Sequence, residues 1–125
     1  MIDVKIAKQS NYPISAVKVK SFLRKFFIEH GIVSDSEVIV SFVNEKEMQI
    51  LAKKYYKDTK LHNVFSFVNS ESMKFPSDKI NLGEIVVCFP VVVKEASMEN
   101  KLIEEKVLEL VEHSALHLLG VHHLE

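Results

Sequence analysis

The sequence predicts an α+β fold in which one mixed sheet of four strands carries about four helices. Three observations lead to this fold class. The predicted elements follow each other in the order β-α-β-α-β-β-α-α, which neither alternates strictly nor separates strands from helices. Apolar residues make up 47% and charged residues 26% of the 125 residues, as in ordinary globular proteins. Only three glycines and three prolines interrupt the chain, and no repeat or linker is visible, so residues 1–125 are expected to form a single domain.

The first half of the chain is predicted to form two strands and two helices. Residues 2–6 alternate between apolar and polar, which indicates a strand. Residues 15–30 repeat apolar side chains at helical spacing and are followed by a glycine, a typical helix stop. Residues 38–43 are rich in β-branched side chains and are expected to form a buried strand. Asn44 and Glu47 have the spacing of a capping box, so a second helix is predicted to begin there.

The second half is predicted to form two strands and then two helices. Residues 64–68 and 84–89 have the composition of strands. The stretch 69–81 between them is polar and contains a proline, so it is expected to be a loop. A short helix is predicted over residues 90–97, with proline in its first turn, and a long one over residues 101–119.

Charged residues are distributed unevenly along the chain. The first 60 residues contain 11 Lys or Arg and 7 Asp or Glu, whereas the remainder contains 5 and 10. The basic half can form a positive face for a polyanion such as RNA, or it can be a plain solvated surface. No apolar run is long enough to span a bilayer, no signal peptide is visible, and Cys88 is the only cysteine. A cytoplasmic protein without a membrane partner is therefore expected.

The C-terminal segment HSALHLLGVHHLE predicts a metal site. His113 and His117 are four residues apart, so on a helix their imidazoles project from the same face. The last helix is expected to end at Gly120, which lets the chain turn back and brings His123 within reach as a third ligand. Three protein ligands with an open fourth position are typical of a catalytic zinc ion. One zinc ion is therefore predicted, the alternative being histidines that only pack at the end of an amphipathic helix.

The residue after His113 argues against a metalloprotease. In proteases with similar spacing, a Glu in that position acts as the general base. Here Ser114 occupies the position, and Glu112 points about 100° away around the helix. A metal ion bound by neutral histidines keeps its full charge, so a hydrolase of another bond type is the better interpretation.

The histidine segment also has a wider pattern. HSALHLLGVHH has the form HGxLHLxGYDH, with Ser114, Val121 and His122 in place of Gly, Tyr and Asp. This form is the signature of the YbeY family of bacterial metal-dependent endoribonucleases, which the chain therefore resembles. The positions that agree are His113, Leu116, His117, Leu118, Gly120 and His123.

Further blocks of the chain are similar to the same family. NVFSF, residues 63–67, resembles its T-[DN]-V-L-S-F segment, with His62 where Thr is usual. LGEIVVC, residues 82–88, resembles its LGDI-type strand, with Glu84 for the usual Asp, and KEA at 94–96 fits its place. The resemblance implies a mixed sheet with helices and zinc held by the three histidines named above. It also implies cleavage of single-stranded RNA in small-subunit ribosomal RNA maturation and ribosome quality control, with the small subunit as partner.

One departure from the family pattern concerns RNA contact. The family carries an Arg, thought to contact phosphate, at the position of Tyr56, and the adjacent Lys57 offers only a point charge. Tyr56, Lys57 and Ser66 are the candidate catalytic residues. Four lysines around the end of the second helix are predicted to attract RNA, unless they only form a solvated helix face: Lys53, Lys54, Lys57 and Lys60.

Other residues of these blocks have two interpretations each. Asn63 and Ser66 line the site or simply pack in the strand. Glu84 accepts a hydrogen bond from a metal-bound imidazole or is an ordinary strand residue. Tyr55, Tyr56 and Phe65 can stack on RNA bases, although at least Tyr55 and Phe65 are rather expected in the core. Two alternative functions remain open: a non-catalytic, ribosome-associated RNA-binding module with a structural zinc, or a metal-dependent hydrolase of a small phosphate or amide substrate.

Overall fold

The structure, a computed structural model, describes residues 1–9, 11–57, 60–68 and 79–123, with side chains as far as residue 120. The predicted order of elements is confirmed. The elements are β1 (Ile2–Ala7), α1 (Ala16–Glu29), β2 (Ser36–Val43), α2 (Glu45–Tyr56), β3 (Val64–Phe67), β4 (Ile80–Cys88), α3 (Phe89–Met98) and α4 (Ile103–His123). None of the helices in these ranges is long and apolar enough to span a bilayer.

The four strands form one mixed sheet in the order β1-β2-β4-β3. β1 runs parallel to β2, and β2 runs parallel to β4, whereas β3 runs antiparallel to β4. The predicted mixed four-stranded sheet is therefore confirmed. β3 has only one partner among these strands and lies at an edge of the sheet.

Two apolar cores lie on opposite faces of the sheet. The larger core joins one face to α1, α3 and α4, and includes Phe27, Val40, Ile85 and Val111. The smaller core joins the other face to α2 and includes Met48, Ala52 and Val86. β4 contributes to both cores because successive side chains of a strand point to opposite faces.

Local sequence signals explain where two of the helices begin. Ser15 caps α1, since its hydroxyl accepts a hydrogen bond from the Lys18 amide at 3.2 Å. The predicted capping box of α2 is present: the Glu47 amide donates to Asn44 Oδ1 at 2.8 Å, and the Asn44 amide donates to Glu47 Oε1 at 3.4 Å. Such caps satisfy amides that have no partner within the helix.

Two predicted boundaries are wrong. β4 begins at Ile80, not at residue 84, because Ile80 and Asn81 pair with the first residues of β2 ahead of a bulge. The rest of the predicted loop, residues 69–78, lies outside the described residues. α4 continues through Gly120 to His123, because the buried Leu118 and Leu119 hold its last turns against the core and one glycine costs a helix only about 1 kcal/mol.

Candidate active site

A cleft of about 430 Å³ lies between α4 and the edge strand β3. α4 contributes His113 and His117 to its walls, β3 contributes Ser66, and the end of α2 contributes Tyr56. The structure thus brings four of the residues predicted from sequence to one place, although they are up to 61 positions apart in the chain.

The two imidazoles on α4 are close to each other and reach solvent. The ring centroids of His113 and His117 are 4.8 Å apart, with 52° between the ring planes. Neither ring has a hydrogen-bond or ion-pair partner among the described residues, so their nitrogen lone pairs remain available. Imidazole nitrogens bind zinc at about 2.0–2.1 Å, and two rings at this separation can contact one ion.

The predicted third ligand, the side chain of His123, lies outside the part of the chain whose side chains are described. Within that part, no group of three or more His, Cys, Asp or Glu side chains is placed to share a metal ion. The three-histidine site therefore stays a prediction, of which two members are seen at the cleft.

Packing of α4 explains why this histidine pair faces the cleft. Ser114, Ala115 and Leu118 are buried at 3%, 0% and 2% exposure, so this side of the helix is fixed against the sheet. His113 and His117 lie next to this buried side and remain exposed. A buried serine after the first histidine offers no carboxylate base, as the sequence predicts.

Gly83 sets the distance between α4 and the sheet, a role that the sequence analysis missed. Its φ of +125° is unfavourable for other residues. A Cβ there would lie 2.7 Å from Leu118 Cδ2 and 2.7 Å from the Phe67 carbonyl oxygen. A glycine within a strand often marks such a close approach, so the signal was present in the sequence.

Asn63 and Ser66 have the predicted positions at the cleft wall. The Asn63 side-chain amide donates to Glu95 Oε1 at 3.0 Å, and the Asn63 backbone carbonyl accepts from the Cys88 backbone amide at 2.8 Å, which ties the start of β3 to β4 and α3. Val64 packs against the larger core on the α4 side. Ser66, two residues further along β3, shares that face.

Tyr56 closes one end of the cleft. Its hydroxyl donates a hydrogen bond of 2.6 Å to the Ser66 carbonyl of the edge strand. Burial raises the pKa of Tyr56 above its ordinary value, so the phenol stays protonated at neutral pH. The side chain at position 56 is therefore a neutral phenol that already donates a hydrogen bond. The family pattern described above has a cationic Arg at this position.

The four predicted RNA-binding lysines are exposed, and none lines this cleft in the described part of the chain. Lys57 directly follows Tyr56 and ends α2 in the left-handed conformation, with φ of 52°. Lys54 Nζ lies 5.1 Å from the centroid of the Tyr55 ring. Lys57 therefore places positive charge beside the Tyr56 end of the cleft. The four predicted lysines are Lys53, Lys54, Lys57 and Lys60.

Glu84 does not lie at the cleft, so the proposed contact with a metal-bound imidazole is wrong. Ile85 and Val87 of β4 belong to the larger core beside α4, whereas Val86 and Cys88 belong to the smaller core beside α2. By alternation, Glu84 shares the face of Val86 and Cys88, opposite α4. Burial raises the pKa of the Glu84 carboxyl in this position. Cys88 is buried, as expected for a core residue.

A second groove of about 420 Å³ adjoins the cleft and shares Ser66 and His117 with it. Its other walls are largely apolar and include Phe67, Val68 and Leu116. No local sequence pattern predicts this groove, because its residues alternate along a strand and a helix that meet only in the fold.

Sequence comparison finds relatives of this chain among known proteins. Residues 5–125 match the family described as Endoribonuclease YbeY. An Endoribonuclease YbeY from Ruthia magnifica is 35% identical over 91 residues, which are 73% of this chain and 61% of that protein. One from Alteromonas mediterranea is 35% identical over 74% of this chain and 58% of its own length, and one from Halorhodospira halophila is 35% identical over 86% and 70%.

A solved structure has the same fold. The solution structure of a Thermotoga maritima protein superimposes with a TM-score of 0.62 over 94% of this chain and 71% of its own, at 24% sequence identity. The chain spans about three fifths of the length of the first two relatives named above.

Proposed function

This chain belongs to the YbeY family of endoribonucleases, and we propose that it cleaves single-stranded RNA in the cleft between α4 and β3 with one zinc ion. The proposed substrate is ribosomal RNA of the small subunit, during its maturation and in ribosome quality control in the cytoplasm. The longer relatives supply the activity and substrate class of this proposal, whereas the residues of the cleft supply its chemistry.

The observation that carries the proposal is the His113–His117 pair. Two exposed imidazoles with centroids 4.8 Å apart, and without partners among the described residues, form a donor set that suits zinc. Histidines that only pack at a helix end would be buried or hydrogen-bonded, as His30 is, whose Nδ1 lies 2.8 Å from the Phe26 carbonyl oxygen. The donor set therefore fits a metal site better than a packing role.

Binding of the zinc ion by His123 would require a different backbone conformation at the end of α4. Six residues turn an α-helix by about 600°, so position 123 lies on another side of a continuous helix from position 117. A contribution from His123 requires the chain after Gly120 to leave the helix. Gly120 suits such a change, because it has the conformational freedom of glycine and nothing lies within 4 Å of the place of its Cβ.

The residues of the cleft would bind and orient the RNA backbone. A zinc ion on His113 and His117 would polarise a phosphate oxygen as a Lewis acid. Ser66, on the face of β3 that looks toward α4, offers a hydroxyl for a phosphate oxygen. The exposed lysines near Tyr56 attract the polyanion from the α2 end, an effect that weakens with salt.

A second candidate function is a ribosome-associated module that binds RNA without cutting it and uses zinc structurally. The observation that favours it is the absence of Lys and Arg from the cleft walls in the described residues. Tyr56 supplies a neutral hydroxyl that is already hydrogen-bonded. Such a module would bind RNA and zinc and show no turnover.

Cleavage of a labelled single-stranded RNA by the purified protein tests the proposal. The comparison needs His117→Ala and the matched control His30→Gln, which removes an imidazole at the end of α1, outside the cleft. We expect chelator to stop cleavage and zinc to restore it. We expect His117→Ala to lose more than the roughly 10- to 100-fold that follows from changing a ligand's hydrogen-bond partner, whereas His30→Gln stays active.

The outcomes separate the candidates. Cleavage that survives both chelator and His117→Ala comes from a contaminating nuclease and overturns the proposal. RNA binding that is retained without cleavage, in protein that holds zinc through His117, supports the non-catalytic module.

A further inference from the structure

Two aromatic rings stand together at the Tyr56 end of the cleft. The centroids of Tyr56 and His62 are 6.3 Å apart, with 41° between the ring planes. Tyr56 is 45% exposed although it lines the cleft, and His62 is half-buried. An aromatic surface therefore faces solvent beside the histidine pair of α4.

Both rings are held in place by the same buried residue. Phe65, which is 6% exposed, packs perpendicular to Tyr56 with centroids 5.0 Å apart, and perpendicular to His62 with centroids 6.4 Å apart. The hydrogen bond from the Tyr56 hydroxyl to the Ser66 carbonyl fixes the far end of the Tyr56 ring. Since the ring is ordered before any ligand arrives, binding to it costs little conformational entropy.

The neighbouring tyrosine has a different environment. Tyr55 stacks on Phe67, with centroids 4.4 Å apart and 20° between the planes, and the Lys54 ammonium lies 5.1 Å from its centroid. The expected core position of Tyr55 is wrong, since the side chain is 37% exposed, but its ring is stacked within the fold and does not line the cleft. Tyr55 therefore serves as a matched control for Tyr56.

We propose that Tyr56 and His62 form a stacking subsite for one base of a single-stranded RNA whose backbone runs through the histidine cleft. This inference rests on the proposed function and adds a base-binding site to it. Every nucleobase has a π-face, so stacking on such a ring tolerates any sequence. Phe65 packs in the fold at 6% exposure, whereas Tyr56 lines the cleft and keeps nearly half of its surface in solvent.

Binding of short single-stranded RNAs that contain 2-aminopurine tests the subsite, because the fluorescence of this base falls when it stacks. Wild type, Tyr56→Phe, Tyr56→Leu and Tyr55→Leu are titrated with the intact oligonucleotide and with versions carrying one abasic site. Gel analysis checks that the RNA is uncut, and chelator is added if it is not. We expect Tyr56→Leu to weaken binding by about 5- to 150-fold. Tyr55→Leu should bind like wild type, whereas Tyr56→Phe, which keeps the aromatic face but loses the hydrogen bond to the Ser66 carbonyl, should lose less affinity than Tyr56→Leu.

The abasic series and the salt dependence identify stacking specifically. In wild type, an abasic site at one position should weaken binding, and Tyr56→Leu should abolish this difference, which is the coupling expected of a direct contact. The slope of log K against log salt should not change in Tyr56→Leu, because no phosphate contact is lost.

Three results overturn the inference. If wild type binds equally well to every abasic oligonucleotide, no base stacks on the protein. This result does not depend on whether any variant folds. If Tyr56→Leu binds like wild type, the stacked base lies elsewhere, and the proposed cleavage remains intact. If wild type neither binds nor cuts single-stranded RNA, the proposed function fails together with the subsite.

Discussion

Replacing Gly83 by alanine should destabilise the fold and displace the helix that carries the two cleft imidazoles. The φ of Gly83 is +125°, and a Cβ there would lie 2.7 Å from both Leu118 Cδ2 and the Phe67 carbonyl oxygen. The leucine methyl can rotate away, but the carbonyl belongs to the backbone of β3 and cannot. Leu118 directly follows His117 in α4, so relief of the clash moves that imidazole.

The expected loss can be worked out from two contributions. Holding a residue other than glycine in this backbone region costs about 1–3 kcal/mol. Forcing one extra carbon into a packed interface costs about 1–3 kcal/mol. We therefore expect Gly83→Ala to lower the free energy of unfolding by about 2–6 kcal/mol, a large part of the about 5–15 kcal/mol of a typical domain.

Urea unfolding followed by circular dichroism measures this loss, with Gly120→Ala as the matched control. Gly120 lies within α4 and is not among the glycines with positive φ, and nothing lies within 4 Å of the place of its Cβ. Alanine is favoured over glycine in a helix by about 1 kcal/mol. The same chemical change should therefore destabilise the protein at position 83 and stabilise it at position 120.

Two results would refute this reasoning. A Gly83→Ala variant within about 0.5 kcal/mol of wild type, the usual range for neutral surface changes, would show that α4 and β3 do not approach as closely as the structure has it. A Gly120→Ala variant that loses stability would show that Gly120 ends the helix in the left-handed conformation.

Three further changes test other parts of the fold, each by thermal or urea unfolding. Burial raises the pKa of Glu84 above its unfolded value, so the free energy of unfolding of wild type should fall as the pH rises through the folded pKa. Glu84→Gln should therefore be more stable than wild type at pH 7 and equal to it near pH 3. Lys57 ends α2 at φ of 52°, where glycine is unstrained, so Lys57→Gly should gain up to about 1 kcal/mol. Asn44→Ala removes the acceptor for the Glu47 amide and should cost about 1 kcal/mol.

Each of these three predictions has an outcome that would contradict it. A Glu84→Gln variant whose advantage is the same at pH 3 and pH 7 would mean that ionisation of the carboxyl is not the cause. Loss of stability in Lys57→Gly would mean that the lysine side chain contributes more than its backbone strain costs. An unchanged midpoint in Asn44→Ala would mean that α2 does not depend on its capping box.

Periodicity alone predicted most of the fold, because each helix and strand has to bury one face. The stripe that includes Val19 and Phe27 and the capping box of Asn44 located α1 and α2 correctly. The end of α4 was predicted wrongly because a glycine signals a helix stop only when the residues before it are free to unwind. Here Leu118 and Leu119 are buried in the core and hold the turn.

The histidine pair of the candidate site could be predicted, because its members are four residues apart on one helix. Tyr56 and Ser66 meet through a hydrogen bond between elements ten residues apart in sequence, which no local pattern reveals. The sequence also did not indicate on which face of the sheet the Glu84 side chain lies. Both faces of β4 are apolar around it, so the pattern of residues 85–88 does not say which face packs against α4.

The proposed function depends most directly on the binding of a metal ion by His113 and His117. Elemental analysis of protein purified without chelator tests it most directly, for wild type, a variant that combines His113→Ala with His117→Ala, and the control His30→Gln. We predict one zinc ion per chain in wild type and in the control, and none in the double variant. Equal zinc in all three proteins, or no transition metal in wild type, would contradict the claim.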